Sequence, residues 1–440
     1  MQKKLIALAI AGLASGAAFA QNNVTIYGVA DVGVEVGSYG DGAKFRVQSG
    51  QSAGSRLGFK GEEALGNGLS AIWTAEMGIA FDNGQLTSHT TNTASSATTG
   101  SSSVNGANGG TNVQNTSSSI FQRQVFAGLK SAQFGQVTFG RQYTPGFYVK
   151  AKADTFGLGM GGTANNAWAN LGAFGADRLE NEVQYLTPTF AGFTAGVGFS
   201  SGNEVYNNGA ALGVANRDNR VTDNSKKDGR TWGALAMYSG YGLDVGFAYH
   251  DITGQVGAGT IGQAVNAQAA GGIDINYISP ANDNARIKGW ILGGNYDVMG
   301  YAKVFAGYAS SKATRSGTNN LLDGNNLARG DVWNLGVKVP FGAHSVGAQY
   351  SRWNDKMTKN TDYSLWGVGY EYAMSKRTAL YAGYAHASNK NQGTGTINTA
   401  TNTGMVLTEN TTSQTQAVNG INQFGGASPW TVNVGMRHSF

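Results

Sequence analysis

Gly157-Leu158-Gly159-Met160-Gly161-Gly162 has the spacing of a phosphate-cradling dinucleotide fingerprint, and Asp177 lies about 20 residues on, where a ribose-binding acid would stand. That loop works only when a buried strand feeds it and a helix follows, so that backbone N–H groups meet the pyrophosphate. Here Ala151-Lys152-Ala153-Asp154 precedes and Thr163-Ala164-Asn165-Asn166 follows, so the glycines read as a tightly folded loop. Gly198-Phe199-Ser200-Ser201-Gly202 has the form of a nucleophile elbow, but it runs from a strand pattern into a Ser/Asn/Gly loop. His250 and Asp251 are its faint partners. The five histidines show no metal-ligand spacing, and there is no cysteine. Asn282-Asp283-Asn284 offers one carboxylate, too few for a calcium loop. No enzyme activity, cofactor or metal is expected. What remains is charge set on alternating strands: Arg56, Lys60 and Arg178. Such groups make no bonds, but around an aqueous passage they create a field that sorts ions.

The elements that carry them share one pattern. In the closing stretch Trp430, Val432, Val434, Met436 and Phe440 alternate with Thr431, Asn433, Gly435, Arg437 and Ser439. About ten residues of strict alternation, with aromatics at both ends, suit a strand crossing a bilayer with one face on lipid and one on water. The first segment, Val24 to Val34, behaves alike. So do Ser55 to Glu62, Leu69 to Ile79, Ile120 to Lys130, Gln136 to Tyr143, Arg178 to Thr187 and Phe193 to Ser200. The second half repeats the motif around Trp232, Val245, Trp290, Val304, Trp333, Val346, Trp366 and Leu380. The count is about sixteen strands.

Composition agrees. Charged residues are 13 % of the chain, about half the usual ~25 %, while glycine reaches 67 and proline only 5. No cysteine means no disulfide framework. Lys3 and Lys4, the apolar run Leu5 to Ala14, and Ala18-Phe19-Ala20 form a signal peptide over residues 1–20. Without those two lysines, 29 basic side chains face 26 acidic ones, a net charge of +3. That mild excess, with no basic tract, argues against nucleic acid. No later window supplies the ~18 to 20 apolar residues of a membrane helix.

Connections alternate between short and long. The long ones are Phe81 to Ser119, Pro145 to Asp177, Ser201 to Gly229, Asp251 to Ala285, Ser310 to Gly330 and Ser388 to Ser428. An even-stranded membrane barrel segregates loops in this way, with short periplasmic turns and long extracellular loops. Closure leaves no unpaired backbone in lipid. The expected fold is therefore all-β: a transmembrane antiparallel β-barrel of 16 strands over residues 21–440. The 33 residues Pro145 to Asp177 lack alternation and are expected to fold inward and narrow the pore.

The chain resembles the general diffusion porins of Gram-negative outer membranes, above all those of beta-proteobacteria. The residues that carry the likeness are Val24-Thr25-Ile26-Tyr27-Gly28, Ser55-Arg56-Leu57-Gly58-Phe59-Lys60-Gly61-Glu62 and Arg123-Gln124-Val125-Phe126-Ala127-Gly128-Leu129. Val137-Thr138-Phe139-Gly140-Arg141-Gln142, Ser375-Lys376-Arg377-Thr378 and Gly435-Met436-Arg437-His438-Ser439-Phe440 complete it, in order from end to end. The resemblance implies a homotrimer in outer-membrane lipid and lipopolysaccharide, passing ions and small hydrophilic solutes. It implies a third loop inside the lumen, wall arginines facing carboxylates on that loop, and a terminal aromatic, Phe440, read by the outer-membrane insertion machinery. The loop Phe81 to Ser119 is longer and richer in Ser and Thr than the family pattern.

Strand parity then places the charges. With Leu57 and Phe59 on lipid, Arg56, Gly58, Lys60 and Glu62 face the lumen. With Leu179, Val183 and Tyr185 on lipid, Arg178, Glu180, Glu182 and Gln184 face water. Parity is ambiguous for Ile120 to Lys130. The family pattern puts Arg123 inside, which sets Phe126 on lipid and Val125 and Ala127 in the lumen. Arg56, Lys60, Arg123 and Arg178 form the expected basic wall, and Asp154 and Asp177 the expected acids across from it. Glu62 and Glu76 are alternative counter-charges. Rings of basic residues favour anions, so a weakly anion-selective channel is expected. A substrate-specific channel, or adhesion through the Ser/Thr/Asn-rich loops, are the alternatives.

Overall fold

The computed structural model describes residues 23–38, 43–86, 120–201, 230–254, 285–315, 326–356, 362–389 and 428–440. The expected signal peptide, Asp283 and the greater part of the long connections other than Pro145 to Asp177 lie outside these residues.

Seventeen strands form one sheet: β1 (Asn23–Ser38), β2 (Ala43–Ser49), β3 (Arg56–Gly66), β4 (Leu69–Gly78), β5 (Gln124–Ser131), β6 (Gly135–Tyr143), β7 (Arg178–Leu186), β8 (Phe193–Ser200) and β9 (Arg230–Gly240), then β10 (Leu243–Gly254), β11 (Ala285–Val298), β12 (Ala302–Arg315), β13 (Asn326–Phe341), β14 (His344–Asp355), β15 (Tyr363–Ala373), β16 (Thr378–Asn389) and β17 (Trp430–Ser439). Two helices, α1 (Pro145–Ala153) and α2 (Asn165–Trp168), interrupt the series between β6 and β7. Every pairing is antiparallel.

The sheet closes where β1 meets β17, from Val29 opposite Ser439 to Ser38 opposite Trp430. Phe440 extends the seam: its N–H donates to the Gly28 carbonyl at 3.1 Å, and the Gly28 N–H donates to its carbonyl at 3.0 Å. The other edge of β1 takes β3 along its first half and β2 along its second. Thus β2 and β3 share one place in the wall, and seventeen strands make a closed barrel of sixteen positions. The short strand β2 has its own alternation, Phe45 and Val47 exposed against Lys44, Arg46 and Gln48. Sequence reading passed over this segment.

Short hairpins cluster at one end of the barrel. Gly66 pairs with Leu69 and Gly240 with Leu243, leaving two-residue turns. At Asn67-Gly68 the φ values are 51° and 73°, and at Tyr241-Gly242 they are 52° and 79°. Two successive positive φ values match the strand twist, and glycine supplies the second without steric cost.

The outer face is apolar across the middle of the barrel. Val34, Phe45, Val47, Phe139, Val197, Leu292, Leu335, Val368 and Val434 are exposed on it. Near the long-loop end a row of rings runs from strand to strand: Tyr249 opposite Trp290, Tyr308 opposite Trp333, and Tyr350 opposite Trp366. The inner face differs from the expected polar lining. On β9 to β16, Leu235, Ala248, Ile291, Ala309, Val332 and Leu365 are buried, packed against Trp168, Leu171 and Phe174 of the segment between β6 and β7. The hydrophobic core of this barrel therefore lies inside it, between wall and loop.

Candidate pore constriction

The 145–177 segment starts at Thr144, whose hydroxyl accepts the Phe147 N–H at 3.2 Å as the cap of α1. Pro145 follows at the first helical turn, where its missing donor costs nothing. From there the chain follows the inner wall. Asn295 donates to the Lys152 carbonyl at 2.9 Å, Asn334 to the Ala153 carbonyl at 2.8 Å, and Gln349 accepts the Thr155 N–H at 2.8 Å. At its far point the Met160 N–H donates to the Gln51 carbonyl at 2.8 Å. A Cβ on Gly159 would stand 1.7 Å from the Ser52 carbonyl oxygen, so only glycine permits this approach. The returning arm lies over the first. His250 joins the two, accepting the Gly146 N–H on Nε2 at 2.9 Å and donating from Nδ1 to the Ala173 carbonyl at 2.7 Å. That pair of bonds requires the neutral imidazole.

The stretch 50–55 between β2 and β3 is the anchor for the loop tip. The Asp31 carboxylate holds it, accepting N–H groups of Gln51 (3.1 Å), Ser52 (3.1 Å) and Ala53 (2.8 Å) and the Tyr381 hydroxyl (2.6 Å).

The loop hugs β8 to β16, and the basic side chains gather on the opposite side. Glu76 is their centre. It accepts Arg123 Nε at 2.5 Å and the Tyr27 hydroxyl at 3.1 Å, with Arg56 Nε at 3.6 Å. Tyr143 is a second hub, its hydroxyl accepting Arg178 Nη2 at 2.7 Å and Arg123 Nη2 at 3.2 Å. The Arg178 guanidinium also lies 4.3 Å from the centre of that ring, and the Tyr143 ring stacks on Phe147 of the loop at 3.7 Å. Lys60 Nζ sits 5.3 Å from the Tyr27 ring centre. Arg56, Lys60, Arg123 and Arg178 are thus brought together. Lys60 is exposed and Arg56 keeps 28 % of its side chain open, whereas Arg123 and Arg178 are 9 % and 6 % exposed and stand behind them.

The two acids expected opposite this wall are both buried within the loop segment. Asp154 is buried at 2 % and turned into its own loop. One carboxylate oxygen accepts N–H groups of Phe156 (2.9 Å) and Leu158 (3.0 Å). The other accepts the Thr163 hydroxyl (2.8 Å), the Ala164 N–H (2.7 Å) and Gln349 Nε2 (2.9 Å). Burial holds this carboxyl above the usual aspartate value, against the downward pull of its hydrogen bonds. Five donors with no acceptor among them favour the ionised form. Asp177, also buried, pairs with Lys150, whose ammonium donates to the Phe174 carbonyl at 2.9 Å as well, although its charge still acts on the adjacent Arg178. A carboxylate close to a tightly folded, water-poor loop satisfies that loop's backbone donors before it can face a distant wall. The loop offers Ala151, Gly157, Tyr148, Lys152 and Phe156 to water instead.

Strand β5 corrects the expected parity. Val125 and Leu129 are exposed outward at 43 % and 47 %, in register with Ala75 and Ala71 of β4. Phe126 is therefore on the lumen side and Ala127 on the outside. The strand begins at Gln124, and Arg123 occupies a bend before it, so its inward position says nothing about the strand's parity. Arg141 escaped sequence reading for a related reason. It shares parity with the outward Val137 and Phe139, but a register shift between Gly140 and Gln142, with Gly140 at φ 131°, turns it off that face. It is 8 % exposed, donating to the Gln122 carbonyl at 2.7 Å and to Glu180 at 3.0 Å. Ser200 is not on an elbow: it ends β8, buried, and its hydroxyl donates to the Glu180 carbonyl at 2.6 Å.

Comparison with known proteins fits this architecture. A family model described as Gram-negative porin matches residues 7–392. An outer membrane porin protein of Bordetella pertussis is 27 % identical over 88 % of this chain and 95 % of its own. Outer membrane porin protein 32 of Delftia acidovorans is 28 % identical over 100 % of both. Among solved structures, an anion-selective porin from Comamonas acidovorans superimposes with a TM-score of 0.64 at 22 % identity, covering 96 % of this chain and 100 % of that one. The chain belongs to the Gram-negative porin family, and it is an outer-membrane channel rather than an enzyme.

Proposed function

We propose that this porin is a homotrimeric, anion-preferring diffusion channel whose constriction is the gap between the Arg56–Lys60–Arg123–Arg178 wall and the 145–177 loop. One observation carries the reading. Arg56 and Arg123 share one carboxylate, Glu76, Arg178 joins Arg123 through the Tyr143 hydroxyl, and Lys60 stands over the Tyr27 ring beside them, while both acids of the loop are buried and occupied. The gap therefore has a positive side without a negative counterpart. Unit charges ~4 Å apart interact by ~1 kcal/mol in water and ~4 kcal/mol at an effective dielectric of ~20, enough to bias ion flow. The guanidinium groups stay charged at any physiological pH. The similar porin of Comamonas acidovorans is anion-selective, which supports the same sign.

Trimerisation is favoured by the outer surface. The Trp–Tyr row on β10 to β15 gives way on β17, β1 and β2 to Val432, Val434, Val34, Val36 and Val47, all exposed. A mostly aliphatic face of this kind, with Phe45 beside Val36, suits a neighbouring copy. Phe440, at the seam and 46 % exposed, is the residue we assign to recognition by the insertion machinery. The 1–20 stretch is assigned as the export signal. The decisive test is charge reversal of the two water-facing cations. Arg56→Glu with Lys60→Glu should move the reversal potential in a KCl gradient toward cations in planar bilayers. An unchanged value would remove these residues from the conduction path.

A further inference from the structure

Strands β12 and β13 set Lys303 and Lys338 directly opposite each other. Their neighbours Val304, Val337 and Val339 are exposed on the outer face, so both lysines point inward. Two ammonium groups in cross-strand register repel, and such a pair is unfavourable unless a negative charge stands over it. Among the described residues neither lysine has an ion pair or hydrogen bond. They line a cavity of about 590 Å³ below the loop, together with Phe156, Phe305 and Thr155.

The acids that border this cavity are Asp154, Asp297 and Glu371. Asp154 is occupied by the five donors described above. Glu371 accepts Arg437 Nη2 at 3.0 Å. Asp297, directly opposite Lys303 on β11, also accepts the Gly300 N–H at 2.6 Å, and its one charge can offset only one of the two ammonium groups. Asp244, one strand further, holds Lys152 and the Ser239 hydroxyl. The Thr155 hydroxyl, buried and without a hydrogen-bond partner, sits on the loop against Gly336, two residues from Lys338. Two inward ammonium groups about 5 Å apart at Cβ, with no carboxylate among the described residues within ion-pair distance, and two aromatic rings suit a ligand with more than one negative charge and a short apolar body.

We propose that Lys303 and Lys338 form a second anion site, distinct from the arginine wall, which binds small dianions such as dicarboxylates or phosphate monoesters. It rests on the anion-preferring reading of the pore. Once through the arginine gap, a dianion would bridge the two ammonium groups, with the Phe156 ring covering its carbon chain. Monovalent anions would gain little from the pair, so the site sorts anions by valence.

The test uses the full chain in planar bilayers carrying a KCl current. Sodium succinate and methyl phosphate, added to either side, should reduce that current saturably, and sodium acetate should not. Lys303→Gln with Lys338→Gln should raise the half-blocking concentration of both dianions about tenfold or more, given the charge lost at ~4 Å in water. The KCl reversal potential should stay on the anion side. Lys303→Arg with Lys338→Arg should keep the block and shows that the wall tolerates substitution there. Absence of saturable block in the unsubstituted protein, or unchanged block in the glutamine variant, overturns the site. Block by succinate alone assigns the site to dicarboxylates, and block by methyl phosphate alone to phosphate esters. A cation-side reversal potential in the unsubstituted protein overturns instead the reading on which the site rests.

Discussion

Asp154→Asn separates two roles that the same residue could have. If Asp154 were the negative side of the constriction, removing its charge would strengthen anion preference and leave the fold intact. The structure assigns it to the loop's own backbone, and the opposite pattern follows. An asparagine of the same shape has one oxygen and one NH₂. Placing the NH₂ toward Phe156 and Leu158 loses two hydrogen bonds and opposes two N–H donors; the other rotamer loses three, from Thr163, Ala164 and Gln349. Each buried donor left unsatisfied costs about 1–3 kcal/mol, so the milder rotamer, with two of them, destabilises the loop by about 2–6 kcal/mol, less whatever relaxation recovers. The outer wall does not depend on these bonds. The barrel should therefore form, with the loop loosened inside it. Single-channel recordings should show increased open-channel noise or brief closures, and protease should cut within 154–164 in the variant alone. The reversal potential in a KCl gradient should barely move. A clear shift toward anions, with quiet conductance and an uncut loop, would refute the reasoning and return Asp154 to the pore surface.

Two further outcomes follow from packing. A Cβ at Gly28 would lie 2.4 Å from the Phe440 ring and 2.7 Å from the Arg56 carbonyl oxygen. Gly28→Val should therefore block closure of β1 on β17, seen as loss of the folded, heat-modifiable band on gels, while the same change at Gly68, where a Cβ meets nothing within 4 Å, should cost only turn strain. Lys150→Met leaves the Asp177 carboxylate buried and unpaired, with side-chain exposures of 1 % and 3 % in the native pair. It should cost about 3–5 kcal/mol, read as a lowered thermal midpoint, and Lys150→Met with Asp177→Asn should recover part of it.

The wall was legible because a strand with one face in lipid must alternate, and Trp430 to Phe440 or Val24 to Val34 can do so in no other register. The strand count survived the missed β2 because that strand shares its place with β3. Two classes of residue escaped. Those next to irregularities did so because parity breaks there: Arg123 lies in a bend, and Arg141 beyond a bulge at Gly140. Those inside the barrel escaped because the sequence does not say what covers an inner face. Ala248, Ile291 and Val332 are apolar on the lumen side because the returning loop covers them, and Asp154 looked available because its five donors come from residues 2 to 195 positions away along the chain. Glycines read from a false cofactor motif proved positional: Gly159 is small because the loop touches Ser52.

The sign of the reversal potential of the unsubstituted protein in a tenfold KCl gradient tests the central claim most directly. Perfect selectivity would give about 59 mV, since one charge across 100 mV is worth ~2.3 kcal/mol and a tenfold ratio ~1.36 kcal/mol. A constriction whose wall carries more basic than acidic groups predicts a value of the chloride sign at a fraction of that limit, shrinking as salt is raised and the field is screened. A zero or potassium-sign potential at low salt would contradict it.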